Sequence, residues 1–270
     1  MAKNVPRLIL CSLLLFCVSC SSVSPTYSRQ EIDNVIKNIC KEEFQLDVST
    51  WDTGATVWIY APFKKLLGED QRIDETIGEN FRQIFLTLRR AILSMDKPPN
   101  FYVFIASDIE NKGMDLYYMG FIPDLVKLQL SLISLEDWRQ REVFIYFPNE
   151  EALGDEDGTH ITKFDITMGD FISFLVRQHI LNTYGIQEMQ EVVKLNKLDA
   201  TYYNGKLSIM FDIELTDKEK ELPNPFEEAK KATTKYLKIY KSLEEITEVE
   251  IHDLRTDSKR FYTKKALLEG

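Results

Sequence analysis

Residues 191–215, EVVKLNKLDATYYNGKLSIMFDIEL, constrain the fold more than any other stretch of this chain. Asn204-Gly205 supplies the two positive φ angles that a two-residue type I′ turn demands, and Tyr202 and Leu207 continue strands on either side. The spacing predicts a long antiparallel hairpin. The clearest helix supplies a surface to match: from about Thr76 to Met95, the residues Ile77, Phe81, Ile84, Phe85, Leu88 and Ile92 make one wide apolar stripe. Glu79 completes a capping box with Thr76, and Pro98-Pro99 stops the chain beyond the helix. Such a stripe belongs against a sheet.

Other segments follow the same two periods. Ser28 with Glu31 opens a helix carrying Ile32, Val35, Ile36, Ile39 and Cys40, and Thr53-Gly54 breaks the chain before a strand at 55–62. Strands are expected at 101–107, 114–122 and 142–147, with a helix near 124–132 and a cap at Ser134 and Asp137 between the last two. Thr167 and Asp170 open a helix that closes at Gly185, and Asn224-Pro225 opens another. A short hairpin at 247–254 and 260–263 ends the chain. The expected class is α+β, mainly antiparallel sheets with amphipathic helices packed on them, in one body or two subdomains. Residues 149–164 lose the apolar period and read as an acidic linker between halves at 29–148 and 165–270.

The first residues specify an address. Lys3 and Arg7 precede the apolar run Leu8–Val18, whose eleven residues cover about half of a ~30 Å hydrocarbon core and so read as a cleaved export signal. The run ends in Cys17-Val18-Ser19-Cys20, a small residue directly before a cysteine. That ending resembles the lipobox of bacterial lipoproteins, with Cys17 where the family usually has leucine. The resemblance implies a signal peptide over residues 1–19, diacylglycerol and palmitate on Cys20, and a lipidated tether through residue 28. It further implies a protein held in the cell envelope by its N-terminal anchor. Ser21, in place of the aspartate that retains such proteins at the inner membrane, implies the outer membrane, facing the periplasm.

Loss of the signal leaves Cys40 as the one free thiol, so no intrachain disulfide staples this fold. Removing Lys3 and Arg7 takes the net charge from −10 to −12, which argues against nucleic acid as a partner. No dinucleotide fingerprint, phosphate loop or HExxH spacing occurs, so no cofactor is expected. Ser94 and Lys97 match SxxK, but at the wrong end of a helix. His160, His179 and His252 are scattered, and His179, among Ile172, Val176 and Ile180, reads as a core histidine. No catalytic residue is assigned.

The cluster GDEDGTH makes Asp155 and Asp157 candidate calcium ligands, against the simpler reading of a solvated acidic loop, since the EF-hand register fails at Leu153 and Phe164. The favoured expectation is a non-catalytic, membrane-anchored envelope lipoprotein that binds or scaffolds an envelope protein. The alternative is a lipid-anchored hydrolase or small-ligand-binding protein with a carboxylate-lined site.

Overall fold

Residues 26–68, 72–185, 192–216, 223–241 and 245–269 are described by a computed structural model, and they form an α+β fold with two mixed sheets. In chain order the first half holds α1 (Ile32–Phe44), β1 (Ser49–Asp52), β2 (Thr56–Phe63), α2 (Glu75–Leu93), β3 (Phe101–Asp108) and β4 (Met114–Phe121). It continues with α3 (Ile122–Gln129), α4 (Leu135–Arg139) and β5 (Val143–Pro148). The second half holds α5 (Met168–Tyr184), β6 (Val193–Tyr203), β7 (Lys206–Leu215), α6 (Pro225–Ile239), β8 (Glu248–Asp253), β9 (Ser258–Thr263) and α7 (Lys264–Glu269). Among the described residues no helix is long and apolar enough to cross a membrane.

Local signals account for most boundaries. The Ser28 N–H donates to Glu31 Oε2 at 2.9 Å ahead of α1, and Thr167 and Asp170 form the expected box at α5. The start of α2 differs from expectation: Asp74 is its cap, accepting from the Thr76 N–H at 2.9 Å, so Thr76 lies inside the first turn. Asn204 at φ 48° and Gly205 at φ 83° build the anticipated hairpin turn. The strand β1 has no counterpart among the expected strands, because four residues with three polar side chains carry too little pattern.

Each sheet contains one parallel pairing among antiparallel ones. β2 pairs in parallel with β3 across the α2 crossover, and β7 with β8 across α6. The remaining neighbours are antiparallel, giving orders β1-β2-β3-β4-β5 and β6-β7-β8-β9. The two halves therefore repeat one topology, helix, two strands, helix, two strands, helix, with β5 added to the first. The correspondence reaches single hydrogen bonds. Asn100 and Phe101 both donate their N–H to Ala55 O at 2.8 and 3.0 Å, as Thr247 and Glu248 do to Gly205 O at 2.8 and 3.2 Å. Ile122 N–H donates to Asn100 O at 2.8 Å, and Lys264 N–H to Thr247 O at 3.1 Å.

The repeats stack. α1 and α2 cover one face of the first sheet, where Val57, Ile59, Tyr102 and Phe104 are buried. Its other face, with Trp58, Tyr60, Val103 and Ile105, shares a core with α5 and α6 of the second repeat, and Phe101 meets Phe171 at 5.4 Å between ring centroids. Those same helices bury Leu207, Ile209, Phe211, Val249 and Ile251 of the second sheet. The layers are thus helix, sheet, helix, sheet, and the last face of the second sheet meets solvent.

Candidate functional site

Residues 149–164 do not hang free between the halves. Asp155 takes hydrogen bonds on Oδ2 from the His160 N–H (2.8 Å) and the Thr159 hydroxyl (3.1 Å), and on Oδ1 from the Asp157 N–H (3.2 Å). The ring of His160 lies between two carboxylates, with Nδ1 2.5 Å from Asp155 Oδ2 and Nε2 3.2 Å from Asp115 Oδ2. Both nitrogens donate only when the ring carries both protons. Asp115, fully buried, also accepts from Asn149 Nδ2 at 2.7 Å and from the Ser107 hydroxyl, while the Tyr60 hydroxyl donates to the Asp155 carbonyl. Burial works to raise the Asp155 pKa, but the His160 and Thr159 hydrogen bonds outweigh it and hold the carboxyl well below the ordinary range.

This network fastens the segment to the first sheet and leaves Asp155 little lone-pair capacity for calcium. Asp157 turns instead to an open cleft near Phe63 and Lys64. Among the described residues, no group of three or more histidine, cysteine or acidic side chains is placed to hold a metal ion. Nor does the network supply a nucleophile, since Ser107 is buried and its hydroxyl donates to Asp115, not to His160.

Of the other residues singled out in the sequence, Cys20 lies outside the described residues. Cys40 is buried, and burial raises its thiol pKa. Ser94 caps the C-terminus of α2. His252 Nε2 lies 2.9 Å from Asp257 Oδ1. His179 departs from its core reading: it is only partly buried and lines a cleft of about 300 Å³ where α4 and the start of β5 meet α5 and α6.

Comparison of the chain with protein-family models, curated proteins and solved structures finds no match.

That cleft is lined by polar groups from both repeats, among them Arg139, Glu142, Gln178, His179 and Lys235. Glu142 is 6% exposed; its Oε2 accepts from the Tyr102 hydroxyl, the Tyr118 hydroxyl lies beside the carboxyl, and its Oε1 makes no hydrogen bond of good geometry. Burial, with Asp124 nearby, pushes its carboxyl well above the ordinary carboxylate range. Burial likewise lowers the pKa of His179, whose Nε2 approaches Glu228 Oε2 only to 3.5 Å and makes no hydrogen bond. Gly120 leaves the space in which Tyr102 and Glu142 meet, since a Cβ there would strike both. Nothing in the sequence marks Glu142, because it stands alone at a strand start and its partners come from other elements.

Next to the cleft, β5 carries a surface with no charged side chain. Phe144 and Tyr146 lie on the helix-covered side of the sheet but beyond the helices, and Tyr146 is 67% exposed. Their rings adjoin at 6.4 Å, and Tyr118 joins Phe144 to Trp138 of α4, whose Leu135 is 50% exposed. Of the outward backbone positions, the Phe144 N–H donates to Gln178 Oε1 at 3.3 Å and Pro148 has no N–H. Backbone N–H pairing along this edge is thereby confined to Tyr146, and the larger contact surface is side chain.

Proposed function

We propose that this chain is a lipid-anchored envelope protein that works by binding a partner protein through the aromatic surface of β5. The observation that carries the docking half is the grouping of exposed Phe144 and Tyr146 on β5, linked through Tyr118 and Trp138 to α4 with its exposed Leu135. Aromatic rings grouped at a sheet edge give large contact area at low side-chain entropy cost, which suits the core of a protein interface. Anchoring rests on Val18-Ser19-Cys20. A tether at Cys20 raises the local concentration of the module at a membrane face, on the outer membrane toward the periplasm.

A photo-reactive residue placed at position 146 in intact cells tests the docking half, with position 203 as control because Tyr203 is 77% exposed on the other sheet. Position 146 should give a discrete protein adduct and position 203 none. Equal labelling at both sites would refute the surface. Cys20→Ser should release the protein from membranes and lower the adduct yield, and intact-mass analysis placing the mature N-terminus at any residue other than Cys20 would remove the anchor.

A further inference from the structure

The cleft at the seam has a chemistry of its own. We propose that it binds a small oxyanion, a carboxylate or phosphate group held by Arg139 and Lys235 and hydrogen-bonded by the carboxyl of Glu142. The charge pattern is the first ground. In a chain of net charge −10, Arg139 and Lys235 line one cleft and neither has a carboxylate within ion-pair distance among the described residues. Lys235 Nζ donates instead to the neutral Gln140 Oε1 at 2.8 Å. Of the surrounding acids, Asp124 is engaged with Arg141, Lys127 and the Tyr240 hydroxyl, and Glu228 with Lys231 and, at 3.5 Å, His179, while Asp137, bonded to Ser134, acts on Lys235 from beyond ion-pair distance. Burial and the charge of Arg141 lower the Lys235 pKa against a smaller opposing pull from Asp137, and a bound anion would relieve that net penalty.

Glu142 is the second ground. A buried acid oxygen without a well-formed hydrogen bond is costly, and burial favours the protonated form of this carboxyl, which would offer an anion a donor. An anion between it and the two cations satisfies all three groups. Charge-assisted hydrogen bonds of this kind are roughly twice as strong as neutral ones. At about 300 Å³ the cleft has room for a phosphate or a short carboxylic acid, and its polar lining disfavours an apolar guest.

Calorimetric titration of the purified full-length protein at pH 7 and low ionic strength, with inorganic phosphate and separately with succinate, tests this. Saturable binding of one probe per chain is expected, and the tighter probe identifies the head group. Lys235→Met and Arg139→Met should each weaken binding about tenfold or more. Glu142→Gln keeps a neutral donor at the same place and should stay within about threefold, whereas Glu142→Leu should lose about tenfold, with unfolding midpoints confirming that each variant is folded. Binding of neither probe overturns the proposal, as does unchanged affinity in both cation variants. Tightening in Glu142→Gln would overturn it too, because an ionised Glu142 would then have been repelling the anion. Crosslinking at position 146 is a separate readout, so either proposal can fail alone.

Discussion

The two repeats share one topology but differ in what lies on the outer face of their central strands. At equivalent positions Val57 matches Leu207, Ile59 matches Ile209 and Phe104 matches Ile251, all buried under their own helices. On the opposite face Trp58 matches Ser208, Tyr60 matches Met210, Val103 matches Glu250 and Ile105 matches His252. The first sheet is covered twice, so β3 is buried at every position; the second is covered once, and β8 alternates. A strand's composition thus reports how many layers touch it, independently of its place in the topology. Stacked repeats need an end face that meets water, and here Ser208, Glu250 and His252 supply it beside the exposed rings of Tyr203 and Phe261.

The sharpest way to break that comparison is to exchange the outer-face chemistry. Val103→Asp puts an unpaired charge into the shared core and should cost more than about 4 kcal/mol, enough to abolish cooperative folding. Glu250→Ala at the equivalent position removes surface pairs with Lys206 and Lys259 and should cost below about 1 kcal/mol by denaturant titration. Comparable losses would mean that the second sheet has a buried outer face after all.

How much of this was legible depends on the range of the cause. The Asn204-Gly205 turn, the capping residues of α5 and α6 and the stripe of α2 are local, and the sequence displays them. The parallel pairings are not local: an apolar run in β2 or β3 says that it is buried without saying beside which strand. The duplication was hidden because only the helix-facing positions stayed alike. The sites were hidden for the same reason: Asp115, Asp155 and His160 come together across 45 residues of chain, and Glu142 reaches Tyr102 across 40.

A second contrast lies across the strand pairing next to the cleft. Tyr102 stands opposite Gly120 in the first repeat, and Val249 opposite Tyr262 in the second, so the large residue has changed sides. Gly120→Ala should therefore cost about 1–3 kcal/mol by driving apart Tyr102 and Glu142, and unchanged stability would show that the pair has room to shift.

The carboxyls of Asp155, partly buried, and Glu142, buried, should respond to pH in opposite directions. Asp155 has a folded pKa below its unfolded 3.8, so it stabilises above that range and the contribution is lost as pH falls through the folded value. Asp155→Ala should cost about 2 kcal/mol at pH 7 through the lost charged hydrogen bonds, and progressively less in acid. Glu142 is shifted up from 4.5, so above that pH the folded state holds a proton that the unfolded state has released, and stability falls as pH rises. Glu142→Gln should accordingly raise the unfolding midpoint at pH 7, with the gain vanishing toward pH 4. A gain independent of pH would mean that Glu142 is ionised in the fold.

The smallest effects separate the two equivalent turns. Gly54, between β1 and β2, has φ +116°, and a Cβ there would lie 2.9 Å from Asp165 Oδ2, the carboxylate that clamps this turn by accepting from Ala55 N–H at 2.7 Å and Thr53 Oγ1 at 2.8 Å. Gly205 has φ +83°, close to the left-handed region that asparagine also visits. Valine at either position is strained, and should cost about 1 kcal/mol or more at 205 and about 2 kcal/mol at 54, where it also displaces the clamp. Asparagine divides them: Gly205→Asn, whose Cβ must fit 3.0 Å from Thr247 Oγ1 and 3.3 Å from the Glu245 carbonyl, should cost below about 1 kcal/mol while Gly54→Asn retains most of the penalty. Equal costs for the two asparagine variants would show that the Asp165 clamp yields, and that the turns are interchangeable in energy as they are in topology.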